Sequence, residues 1–361
     1  MLLLPALMAS RGIGDAPAPG ELARLERVVT GSLPGGERDS RTSVLFHAAA
    51  ISGERWPTGA EGQRAMLVRA RRAQVVGIAG LALLTYLVVL FAQGRLQALL
   101  ACGSFALLPP ICEAGSVLRS ETAGGLLALS SVLLMQLAAS PPPRLRGRHP
   151  RRAAGLAAGL LGCAAVAIAL TCEAVPSLGE SLLVPGIVLT FAAVEMGARA
   201  RRVLRRRGLM GVPIRAINGR LIPWTALGFV APAVALLLMT SSYNVSVDAL
   251  EVTARHSSLM PTAPFGSAAM TALLCLGGVV MIARVGVRFG AGGRISADLV
   301  LLSYCAVFLL AAFSDAIARD PLPLAPAAAM VSGAGAHAVL VAAVGLLRAR
   351  RGRAAGSSAG G

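Results

Sequence analysis

Beyond residue 72 the chain alternates long, nearly uncharged runs with short breaks marked by arginine or by Pro/Gly clusters. Nine runs stand out: Val75 to Ala92, Leu96 to Leu118, Ala123 to Ala139, Ala153 to Val175, Ser181 to Ala198, Leu221 to Ser241, Ala263 to Ala283, Leu299 to Ile317 and Ala325 to Leu347. About 20 apolar residues in a helix cross the roughly 30 Å hydrocarbon layer, and these runs approach that length. They are apolar all round, unlike the polar–apolar alternation of outer-membrane barrel strands. In lipid each backbone polar group must be satisfied within the segment, so the runs predict helices. The expected fold is all-α: a polytopic transmembrane helical bundle with about nine hydrophobic segments, eight or nine of them spans.

The flanks read differently. Residues 1–72 hold ten arginines and seven acids among clusters such as GDAPAPG and SLPGGERDS, which predicts a disordered, solvated N-terminal tail. Within it, GELARLERVV has the spacing for two turns of amphipathic helix, too short to stand alone. The opening MLLLPALMAS has an apolar core but no positive start, so signal-peptide cleavage is not expected. Residues 73–349 form the expected membrane domain, and residues 350–361 a short basic, Gly/Ser-containing C-terminal tail.

Charge supplies an orientation. All 34 basic residues are arginine, yet 55% of the chain is apolar and mean hydropathy is +0.71, which excludes an ordinary soluble basic protein. Short arginine-rich loops stay cytoplasmic. Residues 140–152 carry five arginines, residues 199–220 carry eight, residues 242–262 carry only Arg255, and Arg284, Arg288 and Arg294 mark residues 284–294. Four more arginines lie between Arg348 and Arg353, so the C-terminus is expected in the cytoplasm. RARRVLRRRG at 199–208 then reads as a membrane-edge anchor for anionic headgroups. Nucleic acid is not an expected partner, because no aromatic lies between Phe191 and Trp224 to stack on bases. Asn244-Val245-Ser246 is a glycosylation acceptor pattern in a loop that this counting places outside.

The N-terminal third conflicts with that scheme. Nine spans put the tail outside, although Arg64, Arg69, Arg71 and Arg72 precede the first span. Two resolutions stand open: residues 96–118 form a re-entrant hairpin broken at Pro109-Pro110, leaving eight spans, or the first helix is frustrated.

Ionisable groups within spans are functional candidates, because each is costly at depth. Glu113 and Glu173 both occur in Cys-Glu-Ala triplets near a span end, and His337 lies mid-span among small residues in SGAGAHAVLV. These three form the candidate intramembrane polar set. Glu195 pairs at i, i+4 with Arg199, and Asp298 and Asp315, bracketing the eighth run, are expected to reach water. Gly155 to Gly159, in GLAAG, has helix-contact spacing. The six cysteines lack Cys-x-x-Cys or histidine pairing, so they read as packing residues, and no metal or cofactor is implied. Phosphate-cradling, zinc-peptidase and serine-elbow motifs are missing and only four histidines occur, so the expectation is a non-enzyme with no catalytic residue.

AGSVLRSETAGG, an apolar run, and SPPPRLRGRHPRR, followed later by RISADLVLLSYCAVFLLAAFSDAIARDPLPLAPAAAMVSGAGAHAVLV, resemble the multi-pass membrane protein family encoded by gene forty-three of the unique long region in alphaherpesviruses. The resemblance covers roughly residues 107 to 349 and rests on layout. It implies an accessory protein of the viral envelope and host membranes that modulates glycoprotein-driven fusion or envelopment, with viral glycoproteins and the lipid bilayer as partners. The first run and long tail depart from that pattern, and the GC-rich composition suits a bacterial inner-membrane protein equally. The alternative function is a solute transporter, nucleoside-transporter-like because that family is thought distantly similar to equilibrative nucleoside transporters. No transport residue carries over position by position.

Overall fold

The computed structural model describes residues 3–17, 21–30, 55–113, 118, 121–139, 150–174, 268–290, 297–311 and 325–357, and no strand occurs among them. Helix α1 is Leu4–Ala9, continued by a 3₁₀ turn at Ser10–Gly12, and α2 is Glu21–Thr30. Next come α3 (Ala60–Gln93), α4 (Arg95–Ala106) and the short α5 (Pro109–Glu113). Helices α6 (Glu121–Ala139) and α7 (Pro150–Ala174) follow. The last three are α8 (Ala268–Gly290), α9 (Ala297–Ala311) and α10 (Ala325–Ser357).

A single residue, Gly94, separates α3 from α4. Its φ of 100° lies where a side chain would be strained, and its N–H caps α3 by donating to Val89 and Leu90 carbonyls. The chain folds back there, and the Cys102 thiol of α4 donates to the Ala82 carbonyl of α3 at 3.4 Å. The returning strand of helix breaks at Leu107–Leu108 and restarts at Pro109. Proline lacks the N–H that a continuing helix needs and disfavours helical backbone in the residue before it, yet it suits the first turn of a new helix.

Helix α6 lies along α3, with Gly80 against Leu126 and Gly125 against Leu81. Helix α7 packs on α6, while α10 packs between α4 and α8, and α9 joins α3, α6, α8 and α10. The shared core includes Ile78, Leu81, Val88, Phe105, Leu129 and Leu301. Two crossings are backbone-close. A Cβ at Gly277 would overlap the Val331 carbonyl oxygen, one at Gly335 would overlap that of Leu273, and one at Gly333 would sit 2.7 Å from the Ala101 backbone nitrogen. These glycines let α8, α10 and α4 approach until main chains touch. The GLAAG spacing does not mark such a contact at Gly159, where a Cβ would meet nothing within 4 Å.

The expectation of about nine spans needs correction. Among the described residues, three helices are long and apolar enough to cross a membrane: Ala60–Gln93, Ala269–Val287 and Ala325–Ala349. Shorter apolar helices cover Thr122–Ala138, Gly159–Thr171 and Ala297–Ala306, and the proline break divides the 96–118 run into two short pieces. The runs at 181–198 and 221–241 and the loop at 199–220 lie outside the described residues. The all-helical class stands.

Residues 1–72 also differ from a featureless tail. They contain α1, α2 and the first turns of α3, so the boundary drawn at residue 72 falls inside a continuous helix. The α2 helix coincides with the GELARLERVV pattern, and it is held by α3.

Candidate functional site

Polar side chains gather at the two ends of the bundle. At the first end, Arg71 of α3 is fully buried and paired with Glu21 of α2, with Nη2 to Oε2 at 2.8 Å and Nε to Oε1 at 3.2 Å. The same guanidinium donates to the carbonyls of Gly12, Ile13, Asp15 and Ala16, which wrap around it. Glu21 Oε1 also accepts the Leu118 N–H at 2.7 Å. The planar fork of arginine fits a carboxylate in this two-point way. Burial of the charge is tolerated because acceptors surround it.

Glu21 thus ties Arg71 and residue 118 to one end of the bundle. Arg71 and Gln93 lie 22 residues apart on α3, about 33 Å along the axis at 1.5 Å per residue. The chain therefore returns the length of α3 between Gly94 and residue 118, and a re-entrant hairpin turning back at Pro109-Pro110 does not describe it. Arg71 is also not a free cation, because Glu21 offsets its charge, which weakens its vote in a count of arginines flanking the first span.

At the opposite end four helices meet through polar groups. Arg284 of α8 donates from Nη1 to the Gln97 Oε1 of α4 at 2.9 Å, and its Nε lies 3.7 Å from Asp298 Oδ1 of α9. Gln136 of α6 donates to the Ala297 carbonyl at 3.2 Å, and its Oε1 is buried with no hydrogen-bond partner. Asp298, expected to reach water, is instead 2% exposed in the first turn of α9, where the helix N-terminus favours a negative charge. The helix ends flanking the basic connections 140–152 and 284–294 both lie here. Helix α10 starts at this end and runs antiparallel to α8, since Gly277 faces Val331 and Gly335 faces Leu273, so the arginines from 348 to 353 lie towards the other end, against an expectation that grouped them with those loops.

The residues singled out from sequence fall elsewhere. Glu113 closes α5 and Glu173 lies one residue from the end of α7, while their side chains lie outside the described set. His337 is half-buried on α10, two residues beyond the tight crossing at Gly335. These three are not brought into one described cluster. Asn244, Glu195, Asp315 and Arg255 lie outside the described residues. Sequence reasoning missed Glu21, Gln97 and Gln136, because a tail glutamate and two uncharged amides carry no motif. Among the described residues no group of three His, Cys, Asp or Glu is placed to hold a metal.

Four span hydroxyls bond within their own helices, Ser131 donating to Ala128, Thr171 to Ala167, Ser303 to Val300 and Ser332 to Ala329 carbonyls, while Thr85 Oγ1 of α3 is buried with no hydrogen-bond partner. Large apolar side chains meanwhile face outward along α8 and α10, including Val279, Ile282, Val341 and Leu346. Such an apolar exterior is what a bilayer demands, and soluble monomers rarely show such a surface.

No family model and no curated protein matches the chain. Solved structures do share its fold. The Archaeoglobus fulgidus oligosaccharyltransferase in its apo form aligns with a TM-score of 0.56 and 14% identity over 97% of this chain and 51% of its own. The oligosaccharyltransferase AglB of that organism, in complex with an inhibitory peptide and a dolichol-phosphate, gives 0.56 and 13% over 98% and 51%. The enzyme tethered to an acceptor peptide containing the NVT sequon gives 0.58 and 12% over 96% and 50%. The chain spans about half the length of these proteins, and identity this low speaks for the fold alone.

This is an integral membrane protein in contact with the lipid bilayer. The expectation of a non-enzyme is overturned, because the solved chains sharing its fold are enzymes. Missing motifs had carried that expectation. A motif search detects local spacings and does not exclude groups that different helices bring together.

Proposed function

We propose that the chain acts in the envelope and host membranes of an alphaherpesvirus, where it modulates membrane fusion or envelopment by contacting other membrane proteins. The reading rests on the layout shared with that family over roughly residues 107–349. The observation that carries it is the outward apolar surface of α8 and α10, which offers membrane partners a broad lateral face while charged groups gather at the bundle ends. Its test is deletion of the gene from the virus, with quantification of cell–cell fusion and virion glycoprotein content. Either quantity is expected to change at least twofold; both remaining at the parental level would refute the reading.

The fold likeness favours a second reading, a membrane enzyme or binding protein acting on a lipid-linked phosphate of the kind bound in the AglB structure. Under it, purified chain in lipid nanodiscs binds dolichol-phosphate more tightly than a dolichol without phosphate. Equal retention of the two lipids would eliminate this reading.

A further inference from the structure

We infer that residues 3–30 form a releasable strap, docked on one end of the bundle and governed by the Glu21–Arg71 ion pair. The inference is independent of the functional proposals above.

Beyond that pair the strap is held by an Arg64 Nη2 bond to the Gly14 carbonyl at 3.1 Å, by the Leu118 N–H on Glu21, and by burial of Ala9 in the shared core. Helix α1 is six residues long, too short to keep its shape alone. Of its large side chains Leu4 and Leu7 are exposed, Leu7 to 62%, and Met8 is half-buried, while Pro5 and Ala9 are buried. The seat is the end formed by α3, α4 and α5. Helix α2 adds one apolar patch, Leu25 among Met66, Leu67, Ala70 and Leu118, with Leu22, Val29 and Trp56 packed partly buried against it. Against this modest apolar contact stands the concentrated polar one: a guanidinium meeting four carbonyls and both oxygens of one carboxylate.

Every one of those acceptors belongs to the strap. The contacts therefore form or break as a unit, since a guanidinium that loses the carboxylate has no other counter-charge in its shell among the described residues. Departure of the strap also opens Arg71 to water at the bundle end, so release leaves no stranded buried charge. Residues 31–54 join the strap to α3, a reach of about 80 Å at 3.3–3.6 Å per residue. The strap can leave without unwinding α3.

The test uses the full chain in nanodiscs with a specific protease site inserted between residues 31 and 54. After cleavage the N-terminal fragment, residues 1–30 with part of the linker, is expected to stay bound. Excess synthetic peptide of residues 1–30 is expected to displace it, measured with a dye on the fragment. A peptide bearing Glu21→Gln should displace at least tenfold less well at equal concentration, and one bearing Leu7→Ser as well as the unmodified peptide. Because only the peptide is altered, folding of the bundle is never in question. Loss of the fragment on cleavage alone, failure of the unmodified peptide to displace it, equal potency of the Glu21→Gln peptide, or a weakened Leu7→Ser peptide would each overturn the inference.

Discussion

Glycine decides where main chains touch. Gly277 and Gly335 face carbonyl oxygens of the partner helix with no room for a Cβ, whereas Gly159 faces open space. Gly277→Val or Gly335→Val should cost about 3 kcal/mol or force the helices apart. Gly159→Ala should be neutral or stabilise by roughly 0.5–1 kcal/mol, since glycine inside a helix carries that entropic cost. Thermal unfolding in detergent separates the cases; equal melting temperatures for Gly277→Val and the parent chain would contradict the crossing. The sequence shows small residues in SGAGAHAVLV and GLAAG alike. Which glycine is pressed against a neighbour depends on helix register, which no local spacing encodes.

At the scale of elements, the apolar runs gave good helix positions where charge or proline bounds them. The 123–139 and 153–175 runs correspond to α6 and α7 within a few residues. The 96–118 run was legible as interrupted at Pro109-Pro110, but its direction was not, because a hairpin and a kinked return share the same pattern. Glu21 touching both Arg71 and Leu118 decides for the return. A topology prediction follows from this pairing. Single cysteines placed in the 1–30 segment and near residue 118 should react with an impermeant maleimide from one membrane face, and cysteines in 140–152 from the other. Labelling of residue 118 and of 140–152 from the same side would contradict the helix arrangement. Of the four arginines at the start of α3, Arg71 is paired with Glu21, a fact invisible until α2 is docked.

On the scale of the whole molecule, the Arg284–Asp298 junction binds α8 and α9 to α4 through Gln97, and Gln136 of α6 holds the start of α9. Removing one partner of a buried ion pair strands the other, a loss of about 3–5 kcal/mol, and replacing both by apolar residues of similar size is often neutral. Arg284 is partly exposed, with 27% of its side chain in contact with the exterior, so the lower end of that range applies. Asp298→Leu alone should therefore lower the melting temperature more than Asp298→Leu with Arg284→Met. A double variant as unstable as the single one would show that the pair does not act as a unit.

The sequence by itself determined that this chain is helical and belongs in a membrane, because apolar length and backbone satisfaction are local properties. It also marked which ends of helices carry arginine. Only the tertiary structure decided which polar groups meet. Glu21 and Arg71 are 50 residues apart, Gln136 and Ala297 are 161 apart, and Gln97 and Arg284 are 187 apart. Such pairs exist only once helices take their places beside one another, since a buried charge chooses its partner by proximity in space and not along the chain.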